Sequence, residues 1–246
     1  MSLSALPRSA TPAAATPAGI VSFPPAPAIL RPILASSELF THIEALRARW
    51  DDEQVRRAEF RDRLAADEKA EFINGEIIVH SPARVRHNEV VVRVLELLRV
   101  ASRRFAPGAR VFVEKAMIAC GRNDYEPDVV WYSPAAAAAL TGKMTILPPP
   151  DLAVEVLSPS TKARDRGVKK ADYALNGVAE YWIIDADART VERHHLPAGD
   201  GARAYGPAET GPDIVCRALP GLEFPAAALF DEDALTGVLR ALMAGM

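Results

Sequence analysis

Two acids stand where burial makes a charge expensive. Glu155 interrupts the apolar run from Leu152 to Leu157, and Asp128 follows Pro127 at the head of a second apolar run, Val129 to Tyr132. A carboxylate inside a hydrophobic strand is costly unless a metal or a cation pairs with it. Side chains two apart in a strand share a face, so Glu155 groups with Asp151, Ala153 and Leu157, while Leu152, Val154 and Val156 point the other way. If the two strands are neighbours, Asp128 and Glu155 converge on one divalent cation. Mg²⁺, or Mn²⁺ in its place, suits carboxylate and water oxygens. A cation so held lowers the pKa of a water and neutralises charge on a phosphoryl oxygen, which is the chemistry of phosphodiester hydrolysis. Glu76, directly after the Asn74-Gly75 turn, is a third acid placed beside a turn.

Such a site gains from an ammonium group. Two residues after Glu155, on the same strand face, stands Leu157, so the strand supplies none. The charged segment that follows offers Lys169, with Asp165 four residues before it and Tyr173 four after. At helical spacing these three share one face. Lys169 is the candidate, because the stripe leads to Tyr173 and so toward the body of the protein. An ordinary Asp165–Lys169 helix pair, contributing a few tenths of a kcal/mol, accounts for the spacing equally well. His87 opens a helix near the site, although a lone histidine is more often a capping or surface residue. Arg84 and Arg86 can meet a phosphate, whereas most arginines between 84 and 104 read as a solvated helix face.

The elements that must position these residues follow from periodicity and punctuation. Glu71 to His80 reads as a hairpin, since both Asn74 and Gly75 tolerate positive φ. His87 to Phe105 carries Val91, Val94, Leu95, Leu98 and Ala101 at helical spacing. Arg110 to Cys120 reads as one strand and Gly121 to Tyr125 as a loop. Residues 152–157, 181–184, 190–195 and 213–218 read as further strands, and 229–243 as a terminal helix. Upstream, Leu39, Phe40, Ile43, Leu46 and Trp50 form one helical stripe. Asp51 and Asp52 interrupt it, and a second helix runs from Glu53 to about Ala66. Residues 34–70 are thus expected to form a helical arm packing on the core. Residues 1–33, rich in Ala and Pro, read as a disordered tail.

Composition sets the bounds. The 246 residues are 49% hydrophobic and 25% charged, with a formal net charge of −3. That is enough apolar content for a packed core, and it is not the basic balance of a non-specific nucleic-acid binder. Anion binding must come from local basic patches. Cys120 and Cys216 lie in no metal-like spacing, and reduced thiols are expected. No apolar run approaches the ~20 residues of a membrane span, and no secretory signal is evident. A cytoplasmic protein without a membrane anchor is the expectation.

The segments KAEFINGEIIVHSP, EPDVVW, PDLAVEVLSPST, DRGVKKADYALNGVAEYWIID and VERHHL together resemble the Uma-two family, a bacterial group placed in the PD-(D/E)XK nuclease superfamily. The likeness runs from about Glu71 to Leu196. It implies an α/β fold with a mixed sheet, that is, a restriction-endonuclease-like core over residues 71–196. Residues 197–246 would extend the same domain, with the helical arm before it. It also implies roles: Pro127-Asp128 as the PD element, Glu155 as the second acid, Glu76 as an early acid and metal ligand, His87 as the histidine after it, and Lys169 as the displaced lysine. DNA is the implied partner, and a homodimer is expected by analogy with other nucleases. A second reading is a catalytically silent nuclease-fold protein that binds nucleic acid or a partner. The acidic net charge and Leu157 favour that reading, and the intact Asp/Glu pair favours the hydrolase.

Overall fold

The computed structural model describes residues 27–63, 69–199 and 201–245. The described residues fall into two compact units, divided between Asp52 and Glu53. In the first, a short 3₁₀ turn (Ala28–Leu30) leads into α1 (Arg31–Leu34). These turns fall within the stretch expected to be a disordered tail. Pro32 is tolerated because it sits in the first helical turn, where no intrahelical N–H is required of it. The rest of that tail, residues 1–26, and the end of the expected second arm helix lie outside the described residues. The arm itself is one continuous helix, α2 (Leu39–Arg63). Asp51 and Asp52 do not break it. Aspartate has a modest helix penalty, not the several kcal/mol of proline.

The second unit is built on two five-stranded sheets. Its strands in order are β1 (Ala70–Ile73), β2 (Glu76–Val79), β3 (Arg110–Val113), β4 (Met117–Cys120), β5 (Asn123–Tyr125), β6 (Val129–Tyr132), β7 (Ile146–Leu147), β8 (Leu152–Val156), β9 (Glu180–Asp185), β10 (Thr190–His195), β11 (Asp213–Val215) and β12 (Glu223–Pro225). One sheet has the order β10-β9-β8-β6-β3, and the other β2-β1-β5-β4-β7. Both are mixed: β8 and β9 pair parallel, as do β4 and β7, and the other pairings are antiparallel. After β2 comes the long helix α3 (Val85–Phe105). A short α4 (Pro134–Ala137) follows β6. Between β8 and β9 run α5 (Lys162–Arg164), a π-helical turn (Asp165–Lys169) and α6 (Lys170–Leu175). The chain ends on α7 (Glu232–Ala244).

The β8 strand is buried on both faces, which explains its near-continuous apolar sequence. Leu152, Val154 and Val156 join the buried stripe of α3 (Val90, Val91, Val94, Leu97, Leu98 and Ala101) in one core, with Leu235 and Leu242 of α7. Ala153 faces a second core between the sheets. There it meets Val130 and Ile183 of its own sheet and Ile73, Ile118 and Tyr125 of the other. The segment 110–120, expected as a single strand, divides at Glu114, whose φ is +56°. Its halves, β3 and β4, enter different sheets. The helix segment 53–63 is fixed to β5 by Arg57 and Arg61, which both donate in pairs to Asp124 at 2.6–2.9 Å. Phe60 packs on Phe72.

The β1–β2 hairpin turns at Asn74 (φ +53°) and Gly75 (φ +85°). A left-handed backbone costs a residue with a Cβ about 1–2 kcal/mol, and a Cβ on Gly75 would lie 3.2 Å from both Arg56 and Glu53 side-chain atoms. Gly75→Ala is therefore expected to lower the unfolding free energy measured in urea by at least that amount. Gly142→Ala, where nothing lies within 4 Å, should be close to neutral.

Candidate active site

Register places the two strand acids together. Val129 pairs with Val154 and Val130 with Ala153 across the antiparallel β6–β8 ladder. One step further, Asp128 stands opposite Glu155, on the same face. The Asp128 carboxylate is tied across the ladder, its Oδ2 accepting from the Val156 amide at 2.7 Å. Both acids are buried, at 3% and 4% exposure. Both line a cleft of about 860 Å³ that runs from the N-terminus of α3 to the 158–161 turn after β8.

Asp128 sits in a polar corner. Its Oδ1 accepts from the Lys69 ammonium at 2.7 Å, and His87 Nε2 lies 3.5 Å away. Lys69 also donates to Glu114 Oε2 at 2.8 Å. Burial pushes the Asp128 carboxyl up, but the His87 contact and the Lys69 charge outweigh it and hold the group well below the usual carboxylate range. His87 responds in kind. Burial disfavours its charged form, yet the bond and charge of Asp128 prevail and raise its pKa. The left-handed backbone at Glu114 places that carboxylate in the cleft where β3 leaves its sheet, and the Glu114 amide donates to the Asp128 carbonyl at 3.0 Å.

Glu155 belongs to a second, drier cluster. Its Oε1 accepts from Lys169 Nζ at 3.0 Å and from the Tyr173 hydroxyl at 2.8 Å. Lys169 is 1% exposed and also reaches Glu71 at 2.8 Å and Asp165 at 3.4 Å. Burial raises Glu155 well above the usual range, and the charges of Asp165, Asp128 and Glu71 add to it against the opposing pull of Lys169. Asp165 is raised mainly by its burial. Glu71 goes the other way. Burial opposes ionisation, but Lys169 and His80 (Nε2 3.0 Å from Oε2) bring it to about 2. Its Oε1 also accepts from the Glu126 amide at 3.0 Å, locking β1 to the stretch before Asp128. The π-helical turn matters here because it carries both Asp165 and Lys169 into the cluster.

Glu71 has a measurable consequence. Its folded pKa lies below its ordinary value near 4.5, so its contribution to stability is complete above that value. The contribution fades as pH falls from 4.5 toward 2. Glu71→Gln is expected to be less stable than the parent at pH 6, with the gap narrowing steadily in urea titrations down to pH 2.5.

The structure brings His87 to Asp128 and Lys169 to Glu155, with the two acids facing each other across the ladder, and it does not bring Glu76 to either cluster. That side chain is exposed on β2, the edge strand, one residue after the turn. Register puts Glu71 and Glu76 on the same face of the hairpin, and position in the sheet makes the difference: β1 is an inner strand buried along its whole length, whereas β2 is an edge strand largely open to solvent. Glu71, Lys69 and Glu114 were missed from sequence. Glu71 carried the signal that exposed Glu155, an acid between apolar neighbours in a strand. Lys69 and Glu114 carried none. Lys169 is not among the residues lining the cleft; Leu157 and Lys69 are. Arg84 and Arg86 stand at the rim, exposed, 3.5 and 2.8 Å from Asp187.

The donors suit a hard divalent cation. Ligand atoms of His87, Glu114 and Asp128 all lie within 4.8 Å of one another, and Glu155 faces the same cleft. Carboxylates suit Mg²⁺ or Mn²⁺, and an imidazole is compatible with the latter.

Among the described residues, no helix is long and apolar enough to cross a membrane. A crystal structure of "a putative nuclease belonging to DUF820" from Anabaena variabilis ATCC 29413 superposes with a TM-score of 0.58. The two are 22% identical over 72% of this chain and 97% of the other, a likeness that shows the fold. The uncharacterized protein sll1609 of Synechocystis sp. is 31% identical over 140 residues, spanning 55% of this chain and 76% of its own length. The family model Uma2, described as "Putative restriction endonuclease", matches residues 54–227, which include both acid clusters and the two sheets that hold them. With most of its length and all of its buried acid network inside that match, the chain belongs to the Uma2 family.

Proposed function

We propose that the protein is a divalent-metal-dependent nuclease that hydrolyses phosphodiester bonds of DNA in the cleft at the β6–β8 ladder. The observation that carries this reading is the opposition of two buried carboxylates, Asp128 and Glu155, on neighbouring antiparallel strands at the floor of a cleft rimmed by Arg84 and Arg86. Asp128 and Glu155 would hold Mg²⁺ or Mn²⁺, with Glu114 in reach. Such an ion supplies a Lewis acid for a phosphoryl oxygen and a water of lowered pKa. The remaining work falls to the chain. The Val156 amide, Lys69 and His87 keep Asp128 ionised and oriented. Lys169 and Tyr173 fix one oxygen of Glu155. Arg84 and Arg86 offer the phosphate backbone positive charge at the rim. His87, whose pKa is raised, can deliver a proton to a leaving oxygen in the cleft. The test is a nuclease assay with Mg²⁺ or Mn²⁺ on single-stranded and duplex DNA, with EDTA and Asp128→Asn controls. Cutting that needs the metal and Asp128 is expected. Tight DNA binding without cutting would favour a silent nuclease-fold binding protein.

A further inference from the structure

We infer that Lys69, and not Lys169, is the ammonium group that meets the phosphate undergoing hydrolysis. This rests on the nuclease reading above. Lys169 has no route to a substrate: it is 1% exposed, does not line the cleft, and spends its charge on Glu71, Glu155 and Asp165. Position 157, two residues beyond Glu155 on β8, lines the cleft but is a leucine. Lys69 fills the gap from a different element. Its side chain is 21% exposed and lines the cleft, and its Nζ lies 2.7 Å from Asp128 and 2.8 Å from Glu114.

Its position is well fixed. The His80 amide donates to the Lys69 carbonyl at 2.9 Å, and β1 begins at the next residue. An ammonium carries three donors, and among the described residues two are engaged, by Asp128 and Glu114. The third is left for a ligand in the cleft. When water attacks the phosphorus, one P–O bond forms and the ester P–O bond breaks. Negative charge builds on the non-bridging oxygens, and a proton ends on the leaving oxygen. A fixed ammonium beside Asp128 stabilises that charge without having to reorganise. Lys169 is then a positioning residue for Glu155.

The test compares wild type, Lys69→Met and Lys69→Arg with three readouts: DNA cleavage in Mn²⁺, DNA binding in Ca²⁺ as a function of salt by fluorescence anisotropy, and the rise in Tm caused by Mn²⁺. Lys69→Met is expected to lose about 10²–10³-fold in kcat. The slope of log affinity against log salt should fall by about one, as for a lost phosphate contact. The Mn²⁺-induced rise in Tm should persist, and Lys69→Arg should recover part of kcat. If Lys69→Met instead loses the Tm rise and keeps the salt slope, Lys69 only supports Asp128 and the inference is overturned. Wild-type rates in Lys69→Met would overturn it while leaving the nuclease reading intact. A wild type that neither binds nor cuts DNA removes both.

Discussion

Replacing Lys169 with methionine is expected to cost about 3–5 kcal/mol of folding stability, the penalty for leaving buried charges without their partner. Glu71, Glu155 and Asp165 all lie within 3.4 Å of its ammonium, and all are buried. Methionine matches the aliphatic stem, so the loss reports charge and not a cavity. The variant should also show a distinctive pH dependence. Glu155 and Asp165 are already raised by burial with Lys169 present. Glu71 is held down to about 2 chiefly by Lys169 and His80 acting against burial. Without the ammonium, burial lifts Glu155 and Asp165 further above their unfolded values and raises Glu71 from its depressed one. The folded state then binds more protons than the unfolded one, and stability falls as pH rises. The deficit relative to wild type should be larger at pH 8 than at pH 5 in urea titrations. A deficit under about 1 kcal/mol with no pH trend would mean the acids find other partners, and the picture of a lysine-centred cluster would fail.

That cluster shows which parts of the molecule a sequence can announce. The Asn74-Gly75 hairpin and the α3 stripe were legible because turn chemistry and a 3.6-residue period are local properties. Asp128 and Glu155 were legible because an acid among apolar neighbours is anomalous on its face. The break at Glu114 was not. Val111, Val113 and Met117 keep an even spacing straight through it, and nothing in a glutamate announces a left-handed backbone. Nor was the sheet assignment. The β3 and β4 halves look like one strand until the pairing partners are known, and pairing is a property of distant segments. Glu76 is conspicuous in the sequence as an acid beside a turn and as the match to an early acid of the family pattern. In the fold, that adjacency means exposure to solvent. Lys69 precedes its strand and has no periodicity to mark it, so only the convergence of β1 and β6 reveals its contact with Asp128.

That convergence makes Asp128 the residue whose loss should matter most for activity. Asparagine preserves the shape and can still accept the Val156 amide, so Asp128→Asn should fold. The negative charge that suits a divalent cation is gone, and DNA cleavage is expected to drop by about 10²–10³-fold or more. The Mn²⁺-induced rise in Tm should shrink with it, because the ion loses a charged ligand. A third readout needs neither metal nor DNA. His87 is raised because the bond and charge of Asp128 outweigh its burial. With asparagine in place, burial and the nearby Lys69 charge act with less opposition. The His87 pKa should therefore fall in an NMR titration, assigned by a His87→Gln control. If His87 titrates unchanged, the corner around Asp128 is not as described. If cleavage persists at wild-type rates while His87 does shift, the geometry stands and the cut is made elsewhere, by a contaminant or by another site on this chain.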